Sequence, residues 1–298
     1  MVGAPIGVSQ GGKTMPLSIR LMTEGDLARA DVVLRAAFGT PDSRIPDLRR
    51  YCSLQPDGWF VAEADGELAG TVGVVILGSF AYIGSMAVAP ALQRRGIARA
   101  LMQHVLAWID ARGCAAALLD ASEFGAPLYS SLGFVPAGQV RVLQRDTRMR
   151  FTGTRRVPQV NRMGVGDIPA LVEFDAPLYG ASRAALFYRF LDEFHDRAFI
   201  TRDAGGRMTG FLIAQQRRIG PWVANNPCDA EALLRAALTL DYDGAAAVLV
   251  PSPNTSASGF LQRYGFHFLR AQLHMWRGRA YPARERAMIY GQASFMVG

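Results

Sequence analysis

Residues 85–102 read Ser85-Met-Ala-Val-Ala-Pro-Ala-Leu-Gln-Arg-Arg-Gly-Ile-Ala-Arg-Ala-Leu-Met102. The run Ser85–Val88 is apolar and of strand type, Pro90 breaks it, and Gln93-Arg94-Arg95-Gly96-Ile97-Ala98 opens a long amphipathic pattern. A helix is expected over 96–112, with Ile97, Leu101, Val105 and Trp108 on one face. The first four N–H groups of a helix have no internal partner and lie at its positive end. Gly96 brings no Cβ to crowd a ligand there, and Arg94, Arg95 and Arg99 add positive charge. The segment therefore reads as an anion site, with a pyrophosphate as the natural ligand.

Upstream, Gly70–Leu92 holds no charged residue, and hydropathy alone suggests a membrane span. Its glycines (Gly70, Gly73, Gly78, Gly84) and its β-branched and aromatic content argue for strands at 67–77 and 80–88 instead, parted by Gly78-Ser79. A strand at 58–64 precedes them, joined through Asp65-Gly66, a strong hairpin signal. A strand is expected at 18–22, followed by a helix capped by Thr23 with Asp26 three residues on. A short helix is expected at 44–54, a strand at 116–121, a helix at 125–132, and one or two closing strands to about 148.

Five short matches recur in the same order in the second half. Met22–Leu27 parallels Met163–Ile168, Gly66–Gly70 parallels Gly206–Gly210, and Ile83-Gly84 parallels Ile219-Gly220. Ala100-Leu101 then parallels Ala232-Leu233, and Leu132–Phe134 parallels Tyr264–Phe266. The chain reads as a tandem duplication: a disordered tail at 1–16, a first domain at 17–150, and a second at 151–298. The fold class expected is α/β, each copy a mixed, mostly antiparallel sheet with helices on both faces. The second copy is four residues shorter across the loop, where Asn225-Asn226-Pro227-Cys228-Asp229 offers neither glycine nor arginine. Asp229 is expected to cap the helix that follows, and Leu261 takes the place of Tyr129.

Of the 298 residues, 50% are apolar and 19% charged, enough for two cores and too apolar for a disordered chain. Cys52, Cys114 and Cys228 stand apart in no CxxC pattern, and the four histidines are scattered. That excludes a disulfide framework and a structural zinc, and points to a reduced cytoplasmic protein without a metal. The 1–16 segment has no apolar core of signal-peptide length. Net charge is +7, but Lys13 is the sole lysine, so arginine carries nearly all of it. With so much Ala and Gly this reads as the codon drift of a GC-rich bacterial genome. Arg141, Arg145, Arg148, Arg150, Arg155 and Arg156 read as a solvated strand face and linker. No basic motif is interleaved with aromatics, which counts against a nucleic-acid partner.

The 85–102 motif resembles the acetyl-CoA loop of the Gcn5-related N-acetyltransferase superfamily, Gln/Arg-x-x-Gly-x-Gly/Ala, met here by Gln93, Gly96 and Ala98. A second family signature follows in order, a strand at 116–121 and then Ala126–Phe134 (APLYSSLGF). The second half is similar to the degenerate acetyltransferase-like domain of a tandem subfamily, through Gly180–Arg183, Ile219–Ala224 and Tyr290–Phe295. The resemblance implies that the main chain of Met86, Ala87 and Val88 pairs with the pantetheine arm of acetyl-CoA. It implies that N–H groups of Arg94, Arg95, Gly96, Ile97, Ala98 and Arg99 hold the pyrophosphate, and that Ser122 sits where relatives often carry Asn on the cofactor side. Tyr129 would protonate the departing thiolate, and a main-chain N–H near Ala87 or Val88 would serve the oxyanion.

The strand at 82–88 lacks the carboxylate base of many relatives, and Ala117 stands where the ribosomal-protein acetyltransferases carry theirs. Asp120 and Glu123 are the nearest carboxylates, and Glu123 is the candidate to deprotonate or attract the amine. Asp175 and Arg183 are placed where the second copy could line a substrate cleft. The expected activity is acetyl transfer to a primary amine of a small molecule by direct attack on the thioester. The alternatives are a protein or peptide amine as acceptor, or a non-catalytic CoA-binding interaction protein. The sequence does not decide between monomer and homodimer.

Overall fold

The structure, a computed structural model, describes residues 6–10, 13–146, 158–282 and 284–298. Arg148, Arg150, Arg155 and Arg156, and the expected linker, lie outside them. The chain forms two compact units, Met1–Leu119 with Gly278–Ala280, and Asp120–Arg277 with Tyr281–Gly298.

In the first unit, β1 (Ile6–Gln10), β2 (Lys13–Leu21), β3 (Trp59–Ala64), β4 (Glu67–Leu77), β5 (Phe80–Val88) and β6 (Ala116–Ala121) are neighbours in that order. The pairs are antiparallel except β5 with β6, which is parallel. The helices are α1 (Leu27–Phe38), α2 (Ile45–Leu54) and α3 (Ile97–Ala111). β4 is buried at every position from Leu68 to Val75, so both of its faces are covered, and α1, α2 and α3 all pack on it. Residues 70–88 of the uncharged stretch thus lie in a largely buried hairpin, and Pro90–Leu92 forms a short turn beyond it. No described helix is long and apolar enough to cross a membrane. Asp65 and Gly66 both have positive φ (51° and 81°), as the hairpin reading of that pair requires.

The capping box at Thr23 is present, and the Asp26 carboxylate accepts from the Thr23 N–H at 2.9 Å. Arg20 and Arg29 also donate to Asp26, and Arg20 reaches Glu63 at 2.6 Å. The Arg20 hydrogen bond is the main reason that the buried Asp26 carboxyl is held well below the usual carboxylate range. In α3, Ile97, Leu101 and Val105 are buried as the periodicity implies, and Trp108 is half-buried under the Arg112 guanidinium, 3.6 Å from its ring centre.

The segment expected to be a disordered tail instead carries β1, paired with β2 from Ile6↔Leu17 to Gln10↔Lys13. The sequence signal for it is Gly11-Gly12, a hairpin dipeptide between two short runs.

The second unit holds α4 (Ala126–Ser131), β7 (Val135–Arg145), β8 (Val160–Arg162), α5 (Ile168–Tyr179), α6 (Ala184–Phe194), β9 (Ala198–Arg202) and β10 (Met208–Ala214). It continues through β11 (Ile219–Ala224), α7 (Pro227–Ala237), β12 (Ala247–Pro251), α8 (Thr255–Arg263), β13 (Phe266–Gly278) and β14 (Ile289–Gly291). One sheet has the order β14-β11-β10-β9-β8, and β7 lies between β13 and β12. Leu233 and Leu234 of α7 share a core with Trp222, Phe260 and Tyr290, whose rings meet at centroid distances of 5.1–5.8 Å.

The place of β7 departs from a boundary near 150. β7 is the closing strand of the first repeat, yet it pairs on one edge with β12 (Val250↔Arg141) and on the other with β13 (Ala271↔Arg141). Both partners come from the second repeat, so the compact units part at 119/120 instead. A strand bonded on both edges cannot lose both neighbours without exposing two rows of backbone donors and acceptors. Residues 1–150 expressed alone are therefore expected to be insoluble or oligomeric. A monomeric fragment that unfolds cooperatively in urea would contradict this.

Candidate functional site: an anion cradle and a buried relay

The first unit builds the cradle from a strand irregularity and a helix start. On β5, Ser85 and Met86 together oppose the single residue Val72 of β4, because the register shifts between Thr71↔Ala87 and Gly73↔Gly84. Ser85 sits at φ 48°, and its carbonyl accepts from Thr71 Oγ1 at 2.7 Å. A bulge bends the strand that carries it. The β5–β6 ladder runs from Phe80↔Ala116 to Ile83↔Leu119 and stops where this bulge begins, although β5 continues to Val88. Past that point Ala87 and Val88 keep their β4 partners (Thr71↔Ala87, Gly70↔Val88), and the β6 pairing has ended.

After β5 the chain turns so that its N–H groups gather. Gln93 Nε2 donates to the Val88 carbonyl at 3.2 Å and ties the loop to the strand end. Arg94 (φ 61°) and Gly96 (φ 82°) are left-handed, and Arg95 between them is not. Alternation of hand along a backbone turns successive N–H groups toward one side and makes an anion-binding concavity. Gly96 is the N-cap of α3, no side chain caps that end, and Arg94, Arg95 and Arg99 are exposed around it. Gly96 is thus required by its backbone conformation. A pyrophosphate fits this end.

The equivalent helix of the second copy is closed. Asn226 caps α7, accepting from the Asp229 N–H at 2.9 Å, and its Nδ2 donates to the Asp229 carboxylate at 2.7 Å. The cap is therefore Asn226 and not Asp229, which sits three residues on, because the amide supplies a donor and an acceptor at once. Pro227 has no N–H to offer, and the Asp229 carboxylate repels an anion. A cavity of about 240 Å³ beside this end is lined by Cys228, Glu231, Phe260 and Arg263, among others. Tyr264 there donates to Glu231 at 2.6 Å. At this helix start the second copy thus has neither the glycine loop nor, with Tyr264 donating to Glu231, an unengaged phenol among the described residues.

In the second unit, Ser122 opens the turn into α4. Its Oγ accepts from the Gly125 N–H at 3.1 Å, and its carbonyl accepts from Gly125 and Ala126. The Ser122 hydroxyl, expected on the cofactor side, is therefore engaged in the turn. Glu123 is exposed and has no ion-pair partner among the described residues. Tyr129 is 9% exposed, packed edge-on to Phe134, and no described residue hydrogen-bonds its hydroxyl. Burial pushes its phenol up to about 12. It is therefore a hydrogen-bond donor throughout the neutral range.

One group was not legible in the sequence. Asp120 and His274, both with fully buried side chains, meet at 2.7 Å (Oδ1 to Nδ1), and Gln292 Nε2 donates to Asp120 Oδ2 at 3.3 Å. His274 Nε2 lies 3.1 Å from the Tyr281 hydroxyl. With Asp120 as acceptor, Nδ1 carries the proton and Nε2 accepts from Tyr281. Burial, foremost, and the charges of Arg286 and Arg284 hold His274 below its usual value despite Asp120. The unfolded chain then takes up a proton that the folded one refuses, so stability falls as pH drops below about 6.5. His104, lowered by burial against Phe60, adds to this slope. A His274→Gln variant is expected to show a shallower fall of Tm between pH 7 and 5.5. An unchanged slope would contradict the assignment.

Among the described residues no three His, Cys, Asp or Glu side chains gather into a set that could hold a metal ion. The comparisons agree with the repeat. Residues 30–134 match the acetyltransferase (GNAT) family, and residues 171–291 match an acetyltransferase (GNAT) domain. The chain belongs to the GNAT acetyltransferase family, with two such domains in tandem. It is 25% identical over 206 residues to the uncharacterized N-acetyltransferase YitH of Bacillus subtilis, a match spanning 68% of this chain and 71% of that protein. In fold it is similar to a putative acetyltransferase from Pyrococcus horikoshii (TM-score 0.82, 23% identity, covering 95% of this chain and 96% of that one). It is also similar to a GCN5-related N-acetyltransferase from Sphaerobacter thermophilus (TM-score 0.68, 14% identity, 91% and 98%).

Proposed function

We propose that the protein transfers the acetyl group of acetyl-CoA to a primary amine of a small molecule, using the first copy to hold the donor. The observation that carries this reading is the uncapped start of α3 behind Arg94 and Gly96, which follows a β5 strand whose β6 pairing ends at Ile83. N–H groups of Arg94, Arg95, Gly96, Ile97, Ala98 and Arg99 receive the pyrophosphate, and Met86, Ala87 and Val88 pair with the pantetheine arm. A main-chain N–H near Ala87 or Val88 receives the oxyanion. Ser122 positions the turn that carries Tyr129, and Glu123 attracts the acceptor as its ammonium.

The ammonium first gives one proton to water beside Glu123; the neutral amine then attacks the thioester carbonyl carbon, the C–N bond forms, the C–S bond breaks, and sulfur leaves with the electron pair. The amine nitrogen gives up one proton and the thiolate takes one. A thiol ordinarily titrates at about 8.5, well below the Tyr129 phenol at about 12. Tyr129 therefore donates a hydrogen bond to the departing sulfur and relays the proton released by nitrogen, without itself ending as phenolate. The test is CoA release from acetyl-CoA by the intact chain across a panel of amines. Amine-dependent release with an acetylated product supports the reading. Tight CoA binding with no release by any amine, peptide amines included, would replace it with a non-catalytic role.

A further inference from the structure

Arg286 begins the short turn Arg286–Met288 that leads into β14, and it is 4% exposed. Its Nε, Nη1 and Nη2 are all buried, and none has a hydrogen-bond partner among the described residues. A guanidinium is always charged and carries five N–H donors. Leaving it buried without an anion is strongly destabilising.

Two buried carboxylates of this unit are committed elsewhere. Asp175 is held by Arg183 through two bonds of 2.6 and 2.8 Å, and both side chains are almost fully buried. Asp120 is held by His274 and Gln292. The Tyr179 ring, which carries Arg183 at 3.9 Å and Arg284 at 4.3 Å, gives its hydroxyl hydrogen to the Val297 carbonyl. His274 is within electrostatic reach of Arg286 and is held toward its neutral form. The region is thus rich in guanidinium groups, and Arg286 is one whose buried donors lack acceptors among the described residues.

Its position in the chain ties it to the chemistry. Asp120, the anchor of the relay beside Arg286, is two residues before Ser122, where the turn into the Tyr129 helix begins. The guanidinium and the phenol therefore belong to elements joined at the end of β6.

We propose that Arg286 binds the carboxylate of the acceptor, so that the amine acetylated is that of an amino acid or a similar amino-carboxylate. This rests on the acetyltransferase reading above and names its substrate class. The planar fork of Arg286 matches a planar carboxylate, which it can grip through two parallel N–H···O bonds.

The experiment measures CoA release by the intact chain with three sets of amines: amino acids, the amines left when their carboxyl groups are removed, and the matching aminophosphonates. The wild type is expected to favour an amino acid over its decarboxylated amine by about 10²-fold or more in kcat/KM. Arg286→Met is expected to erase that preference by raising KM while leaving kcat within a few-fold. Its Tm without ligand is expected to rise, because an uncompensated buried charge has been removed. A structural arginine gives the opposite signature: a lower Tm, with the preference kept. Release with equal rates for amines with and without the carboxylate overturns this assignment alone. Preference for the phosphonate overturns the carboxylate. Failure of every amine to release CoA overturns the acetyltransferase reading, and the acceptor assignment falls with it.

Discussion

Replacing Tyr129 by phenylalanine is expected to lower kcat by about 10²–10⁴, with little change in the affinity for acetyl-CoA. The ring contact with Phe134 survives the substitution, and the hydroxyl has no hydrogen-bond partner among the described residues to lose. A stability effect is therefore not available as an explanation of lost turnover. The pH profile supplies a second check. Because burial pushes the phenol up to about 12, wild-type activity should show no alkaline fall from this group between pH 8 and 10. An ordinary tyrosine, near 10, would already be losing its proton at the top of that range. A change in kcat of less than about threefold in Tyr129→Phe would make Tyr129 a packing residue.

Gly96→Val is expected to reduce acetyl-CoA affinity by at least about 100-fold. Two causes add. A β-branched side chain enters the volume assigned to the pyrophosphate, and at φ 82° the left-handed backbone costs about 1–2 kcal/mol for any residue with a Cβ. The strain alone needs a control, and the same helix provides one. Gly113, just past the end of α3, has φ 70° and open space where a Cβ would stand. Gly113→Val carries the same kind of strain away from the cradle and is expected to bind acetyl-CoA as the wild type does. Equal losses in the two variants would assign the effect to helix stability and remove the argument for the cradle.

What could be read from the sequence was whatever is contiguous in it. Gln93, Gly96 and Ala98 lie within six residues, and the strands around them are bounded by Asp65-Gly66 and Gly78-Ser79, whose turn chemistry is local. The helix and strand order of the first repeat follows from such signals. Long-range pairing does not. Asp120 and His274 are 154 positions apart, and a lone histidine in a strand carries no mark of its partner. The exchange of β7 into a place between β12 and β13 is equally silent, because alternating apolar residues fit any neighbouring strand. At α7 the expectation that Asp229 caps the helix is overturned by Asn226: with both residues available, only the three-dimensional turn decides which one caps.

The central claim is that the donor is held at one place, the start of α3, and that the second copy has given up the equivalent place. Titrating CoA into the intact chain by calorimetry measures this most directly. The account predicts one CoA per chain, with the heat abolished by Gly96→Val. Two sites per chain, or one site that persists in Gly96→Val, would contradict it.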